Sequence, residues 1–104
     1  MEKIKVSSWN NGKHDTRGNG YGIRVGVKNR YLFEHITEFE LSIEGKNSFS
    51  VSLSSGFWRN CPEFRSPLIG KWMNENNFAP WKKGETPKFT LTKINEKKFR
   101  LDRL

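Results

Sequence analysis

Strict two-residue alternation is the dominant pattern along this chain. From Tyr21 to Lys28 the apolar residues Tyr21, Ile23, Val25 and Val27 fall on one side, with Arg24 and Lys28 on the other, so a half-buried strand with outward cations is predicted. Phe39, Leu41 and Ile43 repeat the pattern, as do Phe49, Val51 and Leu53. The intervening Glu44-Gly45-Lys46-Asn47 supplies turn chemistry for a hairpin. Outward on that hairpin are Glu38, Glu40 and Ser42, and then Ser48, Ser50 and Ser52. A second hairpin is predicted from Phe89 and Leu91, then Phe99 and Leu101, across a turn near Asn95-Glu96-Lys97-Lys98. Its outer face carries Lys88, Lys98 and Arg100.

One segment departs from this period. Ser66 suits an N-cap, Pro67 the first helical position, and Leu68, Ile69, Trp72 and Met73 one apolar stripe, with Asn76 and Asn77 at the C-terminus. Gly70 inside this helix costs about 1 kcal/mol against Ala, which implies close packing on the sheet. A short helical turn fits around Asn29 to His35, although the run RYLFEHI, residues 30–36, also fits a strand or a loop. Asn10 to Gly20 reads as a polar, glycine-rich loop and Asn77 to Pro87 as a turn-rich connection. There are no internal repeats. The expected fold is α+β and mainly β: a single domain over residues 1–104, built as a small open β-barrel with one or two short helices.

Composition fits one modest core. A chain of 104 residues buries roughly two-thirds of its unfolded surface. Only 34% is hydrophobic, but eight Phe, four Trp and two Tyr supply large buried areas. Cys61 stands alone, so no internal disulfide forms, and MEKIKVSSW lacks the apolar run of a signal peptide. With no stretch near 18 apolar residues, a soluble, cytoplasmic protein is expected.

Charge sharpens the picture. The net charge is +8, and the acids Glu34, Glu38, Glu40 and Glu44 share one window that holds no Lys or Arg. Residues 1–33 carry 7 Lys plus Arg against 2 acids, and residues 45–104 carry 12 against 5. A polyanion is therefore drawn to one side and repelled from the other, which makes nucleic acid the first partner to consider.

Three places have binding chemistry. In GKHDTRGNGYG, Lys13, His14, Arg17 and Asn19 sit among glycines that let backbone N–H groups approach phosphates, although neither a Walker loop nor the dinucleotide fingerprint is matched. In FWRNCPEFR, Arg59, Asn60 and Arg65 carry the paired donors and acceptors that match guanine and adenine edges, while Phe57, Trp58 and Phe64 suit a core. PWKKG places Lys82 and Lys83 on a turn, as phosphate contacts that position without reading sequence.

Catalytic constellations are sparse. Cys61, His14 and His35 lie too far apart for zinc-ligand spacing, and a lone cysteine before a proline reads as a small buried apolar residue. Glu44-Gly45-Lys46 matches the acid-x-Lys ending of restriction-type nuclease sites only formally, because it falls in a hairpin turn. A small basic ribonuclease using His14 or His35 is the better enzymatic alternative. No cofactor and no metal are expected.

Over residues 36–91 the order of elements resembles the DNA-binding pseudobarrel of plant auxin-response factors, a module also found as a DNA-recognition domain in some bacterial restriction endonucleases. The matching features are the hairpin with a short polar turn, the loop after it, the Trp-bearing helix ending at Asn-Asn, the Lys-Gly turn and the strand alternating around Phe89. That family's turn usually reads Gly-Asp, whereas Gly84 here precedes Glu85. The resemblance implies an open barrel whose concave side enters the major groove of duplex DNA, gripped by two arms. One arm is the loop of Lys13, His14, Arg17 and Asn19 leading into Arg24. The other is Arg59, Asn60 and Arg65. The expected function is non-catalytic binding of double-stranded DNA. The alternatives are a protein-binding inhibitor or adaptor of a mobile element, and the ribonuclease.

Overall fold

The alternating segments pair into one sheet. The computed structural model describes all 104 residues. Its strands are β1 (Glu2–Asn10), β2 (Tyr21–Arg24), β3 (Glu38–Ile43), β4 (Phe49–Ser52), β5 (Glu63–Arg65), β6 (Lys88–Asn95) and β7 (Lys98–Arg103). A 3-10 helix spans Val27–Phe33, and the α-helices are α1 (Ser55–Arg59) and α2 (Pro67–Glu75). The seven strands run β4-β3-β7-β6-β1-β2-β5, antiparallel throughout except for the parallel β3–β7 pair. The sheet curls nearly into a barrel, leaving an unsealed seam between the edge strands β4 and β5.

Both predicted hairpins form. Phe39 lies opposite Val51 and Leu41 opposite Phe49, with Glu38 and Glu40 facing Ser52 and Ser50 on the outside. Glu44 and Gly45 both take positive φ, 54° and 77°, and the Lys46 N–H closes the turn on the Ile43 carbonyl at 3.0 Å. Such a mirror-image turn matches the right-handed twist of its strands. In the second hairpin Leu91 faces Leu101.

Strand directions send the connections to two ends. The β1–β2 loop, the β3–β4 turn and the long β5–β6 connection containing α2 lie at one end, called here the upper. At the lower end lie the 3-10 helix between β2 and β3, α1 between β4 and β5, and the β6–β7 turn.

The interior is a single cluster of 21 buried residues. Phe33, fully buried, enters from the 3-10 helix and stacks on Phe99 at 4.6 Å between centroids, with Phe57 at 5.1 Å and Phe39 at 5.4 Å edge-on. Trp72, Phe78 and Phe89 fill the upper part, each pair 5.0–5.1 Å apart. Offset and edge contacts of this kind are the favoured aromatic geometries.

Helix α2 begins and ends on the predicted residues. Ser66 Oγ accepts from the Leu68 N–H at 3.2 Å. Asn77 takes φ 61°, and the Phe78 N–H reaches back to the Met73 carbonyl at 2.9 Å, a Schellman closure completed by the Trp72–Phe78 contact.

Several expectations change. The strand predicted over Tyr21–Lys28 stops at Arg24, because Gly26 turns the chain at φ 89°. Tyr21, Ile23 and Val25 are buried as predicted, whereas Val27 is 66% exposed. Leu68, assigned to the apolar stripe, is 50% exposed at the outer edge of α2. Ser42, expected outward, is only 8% exposed. Strand β1 goes unpredicted because its inward series, Ile4, Val6 and Ser8, ends in a serine; β5 has only three residues and α1 only five.

Gly70 packs not on the sheet but on the β1–β2 loop. A Cβ there would meet the Gly18 carbonyl oxygen at 2.1 Å and the Gly18 Cα at 2.6 Å. Ala normally stabilises a helix over Gly by about 1 kcal/mol. Here that sign reverses: Gly70→Ala is expected to destabilise by about 1–3 kcal/mol through overpacking. Gly56→Ala in α1, whose nearest neighbour would be Ser54 Oγ at 3.6 Å, leaves stability unchanged or raises it. Urea denaturation midpoints of the two variants check this.

Candidate nucleic-acid interface

Because the core fills the inside of the curved sheet, the polar groups of the strands point outward, apart from Ser8 and Lys93. All ten residues singled out from the sequence, Lys13, His14, Arg17, Asn19, Arg24, Arg59, Asn60, Arg65, Lys82 and Lys83, are exposed. They fall in three places. The concave side of the sheet is occupied by the hydrophobic cluster, so none of them lies inside it.

The upper end holds six. Asp15 organises the β1–β2 loop by accepting from the backbone N–H groups of Arg17 (2.9 Å) and Asn19 (3.1 Å) and from Asn19 Nδ2 (3.0 Å). These bonds, the Asn19 side chain foremost, hold its carboxyl below the ordinary value. Asn74 of α2 donates to the Asp15 carbonyl at 3.2 Å and anchors the loop. The Tyr21 hydroxyl lies 3.1 Å from His14 Nδ1, and Trp81 packs on the other side of Tyr21 at 5.9 Å. Tyr21 thus ties Lys13, His14, Arg17 and Asn19 to the turn bearing Lys82 and Lys83. Burial raises the Tyr21 phenol above its usual pKa, and Asp15 adds to the effect.

Arg59 and Asn60 lie at the lower end. Arg59 donates to Ser55 Oγ at 3.2 Å, and the Asn60 N–H caps α1 on the Gly56 carbonyl. The Phe57 carbonyl there accepts from Arg30 Nε at 2.7 Å. Phe57 and Phe64 are buried, as expected of core residues, but Trp58 is 40% exposed and Cys61 is exposed rather than buried. The β1–β2 loop and the β4–β5 segment, read as two arms, occupy opposite ends of the barrel because β4 runs down and β5 runs up.

Arg24 and Arg65 stand on the outer face, where the registers assemble a set that sequence inspection missed. Ser7 pairs with Arg24 on one side and Lys88 on the other, so Lys88, Ser7 and Arg24 form one row. The next row, in β1 and β6, is Lys5 with Thr90, and the next is Lys3 with Thr92. On the opposite side of the first row, Gly22 separates Trp9 from Arg65, whose guanidinium lies over the Trp9 ring at 4.9 Å. Lys3, Lys5, Arg24, Arg65 and Lys88 are exposed and none takes part in an ion pair. The available signal was the alternation of Lys3 and Lys5 with Ile4 and Val6. Two acids face this group: Glu63, 6% exposed beside Arg24 with Oε2 unpartnered, and Asp102 of β7, which follows Thr90 in the Lys5 row and is engaged by Arg100.

The acidic window divides. Glu38 and Glu40 are exposed on the far side of the sheet, opposite serines of β4. Glu44 instead accepts from Arg103 Nε at 2.5 Å, Arg103 Nη2 at 2.9 Å and Trp72 Nε1 at 3.0 Å. Arg103 Nη2 also reaches Asn76 at 2.9 Å. Glu44 is therefore a clamp joining the β3–β4 turn, α2 and the end of β7, and no free acid-x-Lys carboxylate remains there. His14 and His35 lie at opposite ends, so no one site contains both.

Compared with family models, curated proteins and solved structures, the chain finds no match.

The bonds from Arg103, with help from Trp72, lower the Glu44 carboxyl from 4.5 to about 2. A folded-state pKa below the unfolded one gives stability that is fully present above the unfolded value, about 4.5, and is lost as pH falls through about 2. Thermal midpoints of the parent protein are expected to drop across that window, and Glu44→Gln to show a smaller drop from a lower starting midpoint. Equal acid sensitivity in both proteins would remove the clamp from the stability account.

Proposed function

We propose that this protein binds double-stranded DNA without chemistry of its own, through the outer face of β6, β1, β2 and β5. One observation carries the reading. Five unpaired cations, Lys3, Lys5, Arg24, Arg65 and Lys88, share that face, while the exposed acids Glu38 and Glu40 lie on β3. Four adjacent strands span about 14 Å, comparable to a major groove of about 12 Å. The pattern of a polyanion site set against a repelling far side supports a nucleic-acid partner. The barrel-like sheet is the architecture implied by the resemblance to the auxin-response-factor pseudobarrel.

Duplex is favoured over single strand by the aromatic content of the face. Single-strand binders stack bases on open rings. Trp9 is half-buried and already covered by Arg65, and the polar groups beside the cations, Ser7 between Arg24 and Lys88 and Thr90 opposite Lys5, suit phosphate and groove contacts. Lys13, Arg17, Lys82 and Lys83 extend the cationic surface at the upper end and serve as phosphate contacts.

Fluorescence anisotropy with duplex DNA, single strand and RNA tests the reading. Five phosphate contacts give a slope of about −4 to −5 in log affinity against log salt for duplex. Arg24→Ala and Arg65→Ala each cost about 1–3 kcal/mol and flatten sequence preference where they touch bases. Replacing Lys82 and Lys83 weakens all duplexes alike, and Glu38→Gln with Glu40→Gln leaves binding unchanged or slightly tighter. A slope near zero ends the nucleic-acid reading. Essential glutamates with dispensable arginines would instead indicate a cationic protein partner on the β3 side.

A further inference from the structure

On the outer face beside the β3–β4 turn lies a hollow of about 440 Å³, lined by Ser42, Gly45, Lys46, Asn47, Ser48, Ile94, Lys98 and Arg100. Three of the eight are cations, none is acidic, and Ile94 is the single apolar wall. Lys46 and Lys98 belong to none of the ion pairs. Arg100 is oriented by Asp102, which accepts from its Nε at 2.9 and 3.1 Å and leaves both terminal nitrogens free. Those nitrogens lie 3.4 Å from where a Cβ of Gly45 would stand. Gly45, with φ 77°, both permits the turn and leaves the guanidinium its place.

We propose that this hollow binds a phosphate monoester. Arg100 offers two N–H groups to its oxygens, Lys46 and Lys98 supply point charges, and Ser42, Ser48 and Asn47 provide short hydrogen-bonding groups around them. Ser42 lies outward in the register beside Arg100, on the floor of the hollow at 8% exposure, a depth that a lone surface serine does not need. The nearby acids are already engaged or set aside. Asp102 holds Arg100, Glu44 is taken by Arg103, and Glu40, the register neighbour of Lys98, does not line the hollow. The volume exceeds one phosphate, so the group attached to it lies along Ile94. Such a monoester is either part of a small phosphorylated molecule or the 5′ end of a nucleic-acid strand. The hollow lies on β3, β7 and the β3–β4 turn, with only Ile94 at the far end of β6, and it contains none of Lys3, Lys5, Arg24, Arg65 and Lys88, so it does not depend on the duplex-binding reading.

Titration with inorganic phosphate and pyrophosphate at constant ionic strength, followed by amide chemical shifts, tests the proposal. Shifts concentrate on Gly45, Lys46, Asn47, Ser48 and Arg100, and Lys46→Gln with Lys98→Gln weakens binding at least tenfold. Lys28→Gln with Arg59→Gln, an equal loss of charge at the lower end and away from the hollow, leaves it within twofold. A 5′-phosphorylated duplex is then compared with its 5′-hydroxyl counterpart. Tighter binding of the phosphorylated end, abolished by the hollow variant, assigns the site to strand ends; no difference, with pyrophosphate binding retained, assigns it to a small molecule. Shifts spread equally over all basic segments, or equal losses in the two double variants, overturn the site. Binding of the hydroxyl-ended duplex reports separately on the face bearing Arg24 and Arg65.

Discussion

Phe33 is the point on which the structure turns. It comes from neither hairpin but from the 3-10 helix that follows Gly26, and it meets Phe99 of β7, Phe39 of β3, Phe57 of α1 and, at 6.1 Å, Phe64 of β5. A sheet of seven short strands cannot close its interior with aliphatic side chains alone when so little of the sequence is hydrophobic. Aromatic rings fill the volume with few residues. The interior is then filled by apolar side chains, and every cation on the strands is left to the outer surface or the ends, apart from Lys93, whose ammonium is tied to the Leu32 carbonyl at 2.7 Å.

This division decides which groups meet solvent. With the concave side filled, the cations of the strands are displayed on the outside of the barrel. There the pairing of β6, β1 and β2 brings cations distant in sequence into adjacent rows, while β3 and β4 present glutamates and serines. Most of the charge asymmetry of the chain becomes an asymmetry of surface. Glu44 is the exception, removed from the acidic side by its bonds to Arg103 and Trp72.

Two close approaches fix the upper end against the sheet. Gly18 and Gly70 let the β1–β2 loop touch α2 backbone to backbone, and Glu44 fastens α2 to the last strand. The loop that carries Lys13, His14, Arg17 and Asn19 is therefore held in one arrangement by Asp15, Asn74 and Tyr21 rather than left free. A preformed loop loses less entropy on meeting a phosphate backbone than a mobile one.

Local pattern by itself determined the two hairpins, the Ser66-Pro67 start and Asn77 end of α2, the mainly β class and the separation of acidic from basic segments. Each of these depends on residues close together in the chain: a period of two, a cap, a turn, a run of one charge. What local pattern did not determine was which strands pair and what then shares a face. The parallel β3–β7 contact, the seam between β4 and β5, the placing of the loops of Lys13 and Arg59 at opposite ends, and the rows of Lys88, Ser7 and Arg24 all follow from pairing across long stretches of chain. The same holds for Gly70, whose neighbour is 52 residues away in Gly18, and for Glu44, whose partner Arg103 is 59 residues away. Such contacts are selected by the collective burial of one core, a property of the whole fold that no local window of sequence contains.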